Sequence, residues 1–154
     1  MMTNLSAKVI NKLQGRSLVT AESCTGGGIG TALTAISGSS NVYKGGIICY
    51  TNWVKENVLQ VKPKLLEQFG AVSKEVAEKM AIGARQVLNA DVAVSVTGLA
   101  GPGGDEFGNP VGTVYIGYND PDKTKVFCYQ FSGNREEVRE QAVNAALQIV
   151  LNEA

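Results

Sequence analysis

One stretch constrains this chain more than any other. Leu18-Val19 runs into Thr20-Ala21-Glu22-Ser23-Cys24-Thr25-Gly26-Gly27-Gly28, and Ile29-Gly30-Thr31-Ala32-Leu33 follows. An apolar run, three glycines and then small residues at helical spacing read as a strand, a tight turn and the start of a helix. The first turn of a helix carries unpaired N–H groups and partial positive charge, and glycines admit a ligand close to the backbone. Two readings fit. Ser23 or Thr25 is a capping residue in a Gly-rich turn, or Ser23 is a nucleophile beside a cradle for an anion or oxyanion.

Residue types that are missing narrow the chemistry. The 154 residues contain no His. Ser-His-Asp and Cys-His catalysis and imidazole-dependent zinc sites are thereby excluded. The three cysteines, Cys24, Cys49 and Cys128, have no metal-ligand spacing and read as free thiols. A serine nucleophile here needs its base from Lys, Tyr, Asp or Glu. The 14 basic and 14 acidic residues balance, which gives no electrostatic reason to expect nucleic acid or an acidic membrane surface. No apolar run has the length of a membrane span. Met1–Ser6 lacks the basic-then-apolar pattern of a signal peptide, so a cytoplasmic location is the expectation.

The rest of the chain reads as alternating elements. Residues 4–16 form a helix with Leu5, Val9 and Leu13 on one face and Gly15 at its end. Ser17–Ala21 is the first strand, and the helix after the Gly-rich turn runs to about Ile36. Gly46–Tyr50 reads as a buried second strand, with Thr51 capping a short helix that contains Lys55. Pro63 and Gly70 bound another short helix. Ser73 caps a longer one that turns Val76, Ala77, Met80, Ala81, Ala84 and Val87 inward. Val92–Val96 is a buried strand, followed by a loop from Thr97 to Pro110. Gly112–Tyr118 and Lys125–Phe131 form a hairpin. Asn134, with Glu137 three residues on, caps a last helix whose buried stripe is Val138, Ala142, Ala145, Ala146, Ile149 and Val150. The expectation is one α/β domain over 1–154, a three-layer α/β/α sandwich with a mixed sheet. Sites in such sheets lie where strands give way to loops. Ser23, Tyr50, Gly98–Gly104 and Ser132–Arg135 share one edge if their strands run in parallel.

Each candidate has a plain structural alternative. Lys55, near the start of its helix, is either a surface lysine or a base kept neutral by burial and the helix dipole. Tyr50 is either a packed aromatic or a proton relay. The glycines of 98–104 suit close backbone approach to a ligand, yet lack the phosphate-loop pattern. Arg135 is an exposed first-turn arginine or an anion partner, and Arg139 reads as solvated. Asp105-Glu106 is a weak metal signal, and no metal is expected.

Taken in order, Ala21-Glu22-Ser23-Cys24-Thr25-Gly26-Gly27, Tyr50-Thr51-Asn52 with Lys55, Gly70-Ala71-Val72-Ser73, Thr97-Gly98-Leu99-Ala100-Gly101-Pro102-Gly103-Gly104, Pro110-Val111-Gly112-Thr113-Val114 and Phe131-Ser132-Gly133-Asn134-Arg135 form a set. The set resembles the C-terminal domain of the competence/damage-inducible CinA proteins. It is most similar to the stand-alone nicotinamide mononucleotide (NMN) amidohydrolases of that family. The resemblance covers nearly the whole chain and does not extend to the N-terminal domain of long CinA proteins. It implies hydrolysis of the NMN carboxamide to nicotinate mononucleotide and ammonia, in pyridine nucleotide salvage and without a cofactor. It maps the nucleophile to Ser23 and its partners to Lys55 and Tyr50. Thr25, Gly26 and Gly27 are then expected to line the oxyanion site. Gly98, Ala100, Gly101 and Arg135 would hold the ribose and phosphate. The alternative is a non-catalytic nucleotide-binding module. A homodimer is the expected assembly.

Overall fold

A computed structural model describes residues 2–154, with side chains from Asn4 onward. Met1, where the segment read as lacking a leader begins, lies outside the described residues. The helices are α1 (Met2–Lys12), α2 (Gly28–Thr34), α3 (Asn52–Asn57), α4 (Pro63–Phe69), α5 (Lys74–Val87) and α6 (Arg135–Glu153). The strands are β1 (Leu18–Glu22), β2 (Tyr43–Ile48), β3 (Val92–Gly98), β4 (Thr113–Asn119) and β5 (Thr124–Gln130), and a 3-10 turn spans Ser39–Asn41.

The strands form one mixed sheet in the order β2-β1-β3-β4-β5. β1 is parallel to both β2 and β3, whereas β4 runs antiparallel to β3 and β5 antiparallel to β4. Two reversals return β5 to the direction of β1–β3. The C-terminal ends of β1, β2, β3 and β5 therefore lie along one edge, which brings Ser23, Tyr50, the 98–104 loop and Arg135 to the same side of the molecule.

Strand alternation divides the core into two layers. Leu18, Val92, Val94, Val96, Val114 and Ile116 pack with Val9 and Leu13 of α1, Ile29 and Leu33 of α2, and the buried side of α6. Val19, Ala21 and Ala93 face the other way, onto Leu66 of α4 and Val76, Met80 and Ala84 of α5. Each fully buried Leu, Ile or Val is worth about 1.5–3 kcal/mol relative to exposure. The α5 layer sits down on the sheet at Gly117. A Cβ there would meet the Ala77 carbonyl oxygen at 2.5 Å and Ser95 Oγ at 2.6 Å, while Ser95 Oγ donates to that same carbonyl at 2.7 Å.

Several element boundaries differ from the sequence expectation. β2 starts earlier and ends at Ile48. Its residues alternate between half-buried and exposed, because it is an edge strand paired only to β1. Tyr50 lies two residues beyond it and is 58% exposed. Val87 is 44% exposed rather than inward. Asn89, at φ 50°, turns the chain toward β3 just after α5, and Leu88 takes the packing position. α2 stops at Thr34, short of Ile36. The buried side of α6 is broader than one stripe: Val143 and Leu147 are also buried, and Ala145 only partly so, because α1 and α2 flank it. The Ser73 cap and the Asn134–Glu137 capping box form as the sequence predicts.

Candidate active site

Ser23 directly follows β1, and its amide donates to the Val96 carbonyl at 3.0 Å, extending the β1–β3 pairing by one residue. Alternation puts Ser23 on the side of Val19 and Ala21, facing α3–α5. Glu22 points the other way, toward α2. Ser23 is thus not the cap of α2. The N-cap position is Gly27, at φ 103°, and no side chain caps from there. The chain instead closes the helix start with Glu22. Its Oε1 accepts from Thr25 Oγ1 and the Ile29 amide, both at 2.8 Å. Its Oε2 accepts from the Gly30 amide at 3.0 Å and Thr20 Oγ1 at 3.2 Å. The anion expected at this helix start is a side chain of the protein itself. A charged residue ending a buried strand was the signal for it in the sequence.

Lys55 is delivered from the opposite side by α3. It is 1% exposed, so the surface-lysine alternative does not hold. Its Nζ lies 3.0 Å from Ser23 Oγ, 2.8 Å from the Cys49 carbonyl and 3.3 Å from the Tyr50 carbonyl. Burial pushes its pKa below the ordinary lysine value of 10.5, with Cys49 and Cys24 acting in the opposite direction. Burial is the largest cause, and Lys55 stands in the last turn of the short α3, away from the positive end of its dipole. Three partners suit either protonation state. A neutral amine donates to the two carbonyls and accepts from the Ser23 hydroxyl, and an ammonium donates to all three. Lys55 can therefore take the Ser23 proton without moving. Cys24, the next residue, is no rival nucleophile, since burial pushes its thiol up to about 11.

Tyr50 contributes differently from the relay expected of it. Its backbone carbonyl touches Lys55, while its phenol oxygen accepts from Arg135 Nη2 at 3.2 Å. The Ser23–Lys55 contact is direct and leaves nothing for a relay to bridge. Arg135 Nη1 also donates to the Gly101 carbonyl at 2.6 Å, so one guanidinium ties the loop after β2 to the loop after β3. Arg139, one turn on, is not simply solvated. Its Nε donates to the Cys24 carbonyl at 3.0 Å and its Nη2 to the Thr25 carbonyl at 3.3 Å.

A cavity of about 340 Å³ opens over the pair, lined by Ser23, Tyr50, Lys55, Gly98, Ala100, Gly101 and Arg135 among others. Gly98 is required there: as the last residue of β3, a Cβ on it would meet Val114 Cγ2 at 2.6 Å and the Thr113 carbonyl oxygen at 3.0 Å. Thr25, Gly26 and Gly27 do not line this cavity. They line a separate open cavity of about 610 Å³ between α2 and α6, beside Arg139, because the chain turns to the α2 face directly after Ser23. Asp105 accepts from the Phe107 and Asn109 amides at 3.0 Å and from Asn109 Nδ2 at 2.8 Å, all within its own loop. Among the described residues, no three His, Cys, Asp or Glu side chains gather as a metal site, and no helix is long and apolar enough to cross a membrane.

A mixed five-stranded α/β sandwich with a buried Ser–Lys pair at the C-terminal edge of its parallel strands defines the class. The family comes from comparison with known proteins. The CinA C-terminal domain family matches residues 2–154, and the chain belongs to that family. It is 54% identical over 121 residues to a CinA-like protein of Synechococcus sp. (strain RCC307), covering 77% of this chain and 29% of that one. The chain spans about a third of the length of the curated relatives it matches. Among solved structures, the competence damage-inducible protein A (ComA) of Klebsiella pneumoniae superposes with TM-score 0.96 at 36% identity, covering 99% of this chain and 96% of that one. The competence/damage inducible protein CihA of Agrobacterium tumefaciens superposes with TM-score 0.94 at 39% identity, over 99% and 96%.

Proposed function

We propose that this domain is a serine amidohydrolase that converts nicotinamide mononucleotide to nicotinate mononucleotide and ammonia. The observation that carries this reading is the direct 3.0 Å contact between Lys55 Nζ and Ser23 Oγ in a site where Lys55 is almost wholly buried. Neutral Lys55 accepts the Ser23 proton as Oγ bonds to the carboxamide carbon. The tetrahedral intermediate collapses as the Lys55 ammonium returns that proton to the departing nitrogen, releasing ammonia and leaving an ester on Ser23. Water, deprotonated by Lys55, then cleaves the ester to the carboxylate and regenerates Ser23.

Oxyanion stabilisation is assigned to backbone amides of residues that line this cavity. Cys24 and Ala100 are two candidates: each lines the cavity, and neither amide donates to a main-chain carbonyl among the bonds of the described residues. The amide following a nucleophile is well placed for that work. Arg135 uses two of its five N–H groups on Tyr50 and Gly101 and has others free for the phosphate. A cavity of about 340 Å³ lies at the lower end of small-ligand sites.

Ammonia measured after incubation with NMN, free nicotinamide, NAD and glutamine tests the assignment. Release from NMN above the other three is the expected pattern. Release from none, with NMN still raising the melting temperature, supports a nucleotide-binding module instead.

A further inference from the structure

Among the described residues, Glu22 is the one buried carboxylate beside the site that the chemistry above does not use. It is 2% exposed, and it faces away from the cavity. All four of its partners are donors, the complement of an acceptor-only carboxylate. Two belong to the first turn of α2, one to Thr25 within the turn, and one to Thr20 in β1. One side chain thus fastens the strand end, the turn and the helix start to each other. The enclosed segment, Ser23–Gly28, is otherwise held from outside by the Ser23 amide on the Val96 carbonyl and by Arg139 on the Cys24 and Thr25 carbonyls, none of which fixes the start of α2. It contains three glycines, two of them at positive φ. Its internal bonds are the Gly26 amide to the Ser23 carbonyl at 3.1 Å and the Gly28 amide to the Thr25 carbonyl at 3.0 Å.

We propose that Glu22 is a positioning residue for Ser23, holding the turn from beneath the sheet so that Oγ stays within reach of Lys55. The proposal rests on the reading of Ser23 as a nucleophile. It makes a chemical prediction about the isosteric amide. Either orientation of a Gln at this position sets an NH₂ group against the Ile29 or the Gly30 amide. The Thr20 and Thr25 hydroxyls can rotate to accept, but a backbone N–H cannot. Glu22→Gln therefore displaces the α2 start, and the displacement reaches Ser23 through the Gly26 and Gly28 bonds. Thr25→Val removes one hydroxyl donor at nearly constant volume, and Thr25→Ser restores it.

The experiment uses the full chain and a fluorophosphonate, which labels an activated serine whatever the natural substrate. Labelling of Ser23 is timed by mass spectrometry for wild type, Glu22→Gln, Thr25→Val and Thr25→Ser, alongside steady-state ammonia release from NMN and melting curves. The expected result is a labelling rate and kcat at least about tenfold lower in folded Glu22→Gln, with KM nearly unchanged, as a misplaced reacting atom requires. Thr25→Val falls in the same direction and Thr25→Ser recovers. A wild-type labelling rate in folded Glu22→Gln overturns the proposal, as does equal labelling of Thr25→Val and Thr25→Ser. If Glu22→Gln does not fold, the Thr25 pair decides by the same criterion. A wild-type Ser23 that takes no label overturns the nucleophile reading, and this proposal with it. Labelling without ammonia release from NMN strikes the substrate alone and leaves the Glu22 comparison intact.

Discussion

Lys55 Nζ and Ser23 Oγ stand 3.0 Å apart with no third group between them, although one comes from α3 and the other from the end of β1. The remaining contacts of Nζ are the carbonyls of Cys49 and Tyr50. In the proposed mechanism this lysine is the proton acceptor, and its removal has a definite consequence. Lys55→Ala and Lys55→Arg should each lower kcat/KM for the amide by about 10²–10⁴-fold, the usual share of a general base. Arginine fails because it stays charged. Ammonia release and circular dichroism of each variant check the loss and the fold. Near-normal turnover in Lys55→Ala removes Lys55 as the base.

The pH profile follows from the same burial. Desolvation lowers the Lys55 pKa, and in the proposed mechanism the neutral amine is the active form. Activity should rise with pH through that pKa, on a limb centred below 10.5. Lowering pH protonates the base and must reduce the rate, never raise it. The kcat/KM profile of the free enzyme reports this limb directly. A rate that increases toward acid contradicts it.

Tyr50 and Arg135 should behave as a coupled pair rather than as acid–base groups. Tyr50→Phe removes the acceptor of the Arg135 Nη2 bond and leaves the Tyr50 carbonyl on Lys55. Its cost to kcat should be below tenfold, in keeping with about 0.5–1.5 kcal/mol for one hydrogen bond. Arg135→Ala should act mainly on KM. A double-mutant cycle reads the coupling between the two. A loss of 10³-fold in Tyr50→Phe would restore a relay role to the phenol.

Stability is most exposed where α5 meets the sheet. Gly117→Ala places a Cβ 2.5 Å from the Ala77 carbonyl oxygen and should cost about 1–3 kcal/mol, as overpacking does. Urea unfolding monitored by circular dichroism measures it. An unchanged midpoint contradicts the packing described here.

The fold was legible where one physical signal dominated. The runs of Val92–Val96 and the hairpin declared strands, and Ser73, Asn134 and Pro63 marked helix starts by their local chemistry. β2 was less legible, because an edge strand alternates where a buried one would not, and its glycines carry no side chain to reveal which. For the site, the absence of His made a lysine base the natural candidate, and the common strand direction brought Ser23, Lys55, Tyr50, Gly98–Gly101 and Arg135 to one cavity. Sequence spacing could not say which face of β1 each residue takes once the strand ends. Alternation gives the helix start to Glu22 and the cavity to Ser23, and the turn directly after Ser23 carries Thr25–Gly27 to the α2 face. The sequence presents Arg139 as solvated, because a surface helix position does not disclose a carbonyl opposite it.

The most direct measurement is rapid-quench mass spectrometry of the Ser23-containing peptide after mixing the enzyme with NMN. The account predicts a transient nicotinate mononucleotide ester on Ser23 that forms as ammonia appears, decays to free product, and is absent in Ser23→Ala together with turnover. Ammonia released while Ser23 stays unmodified, with Ser23→Ala still active, would contradict it.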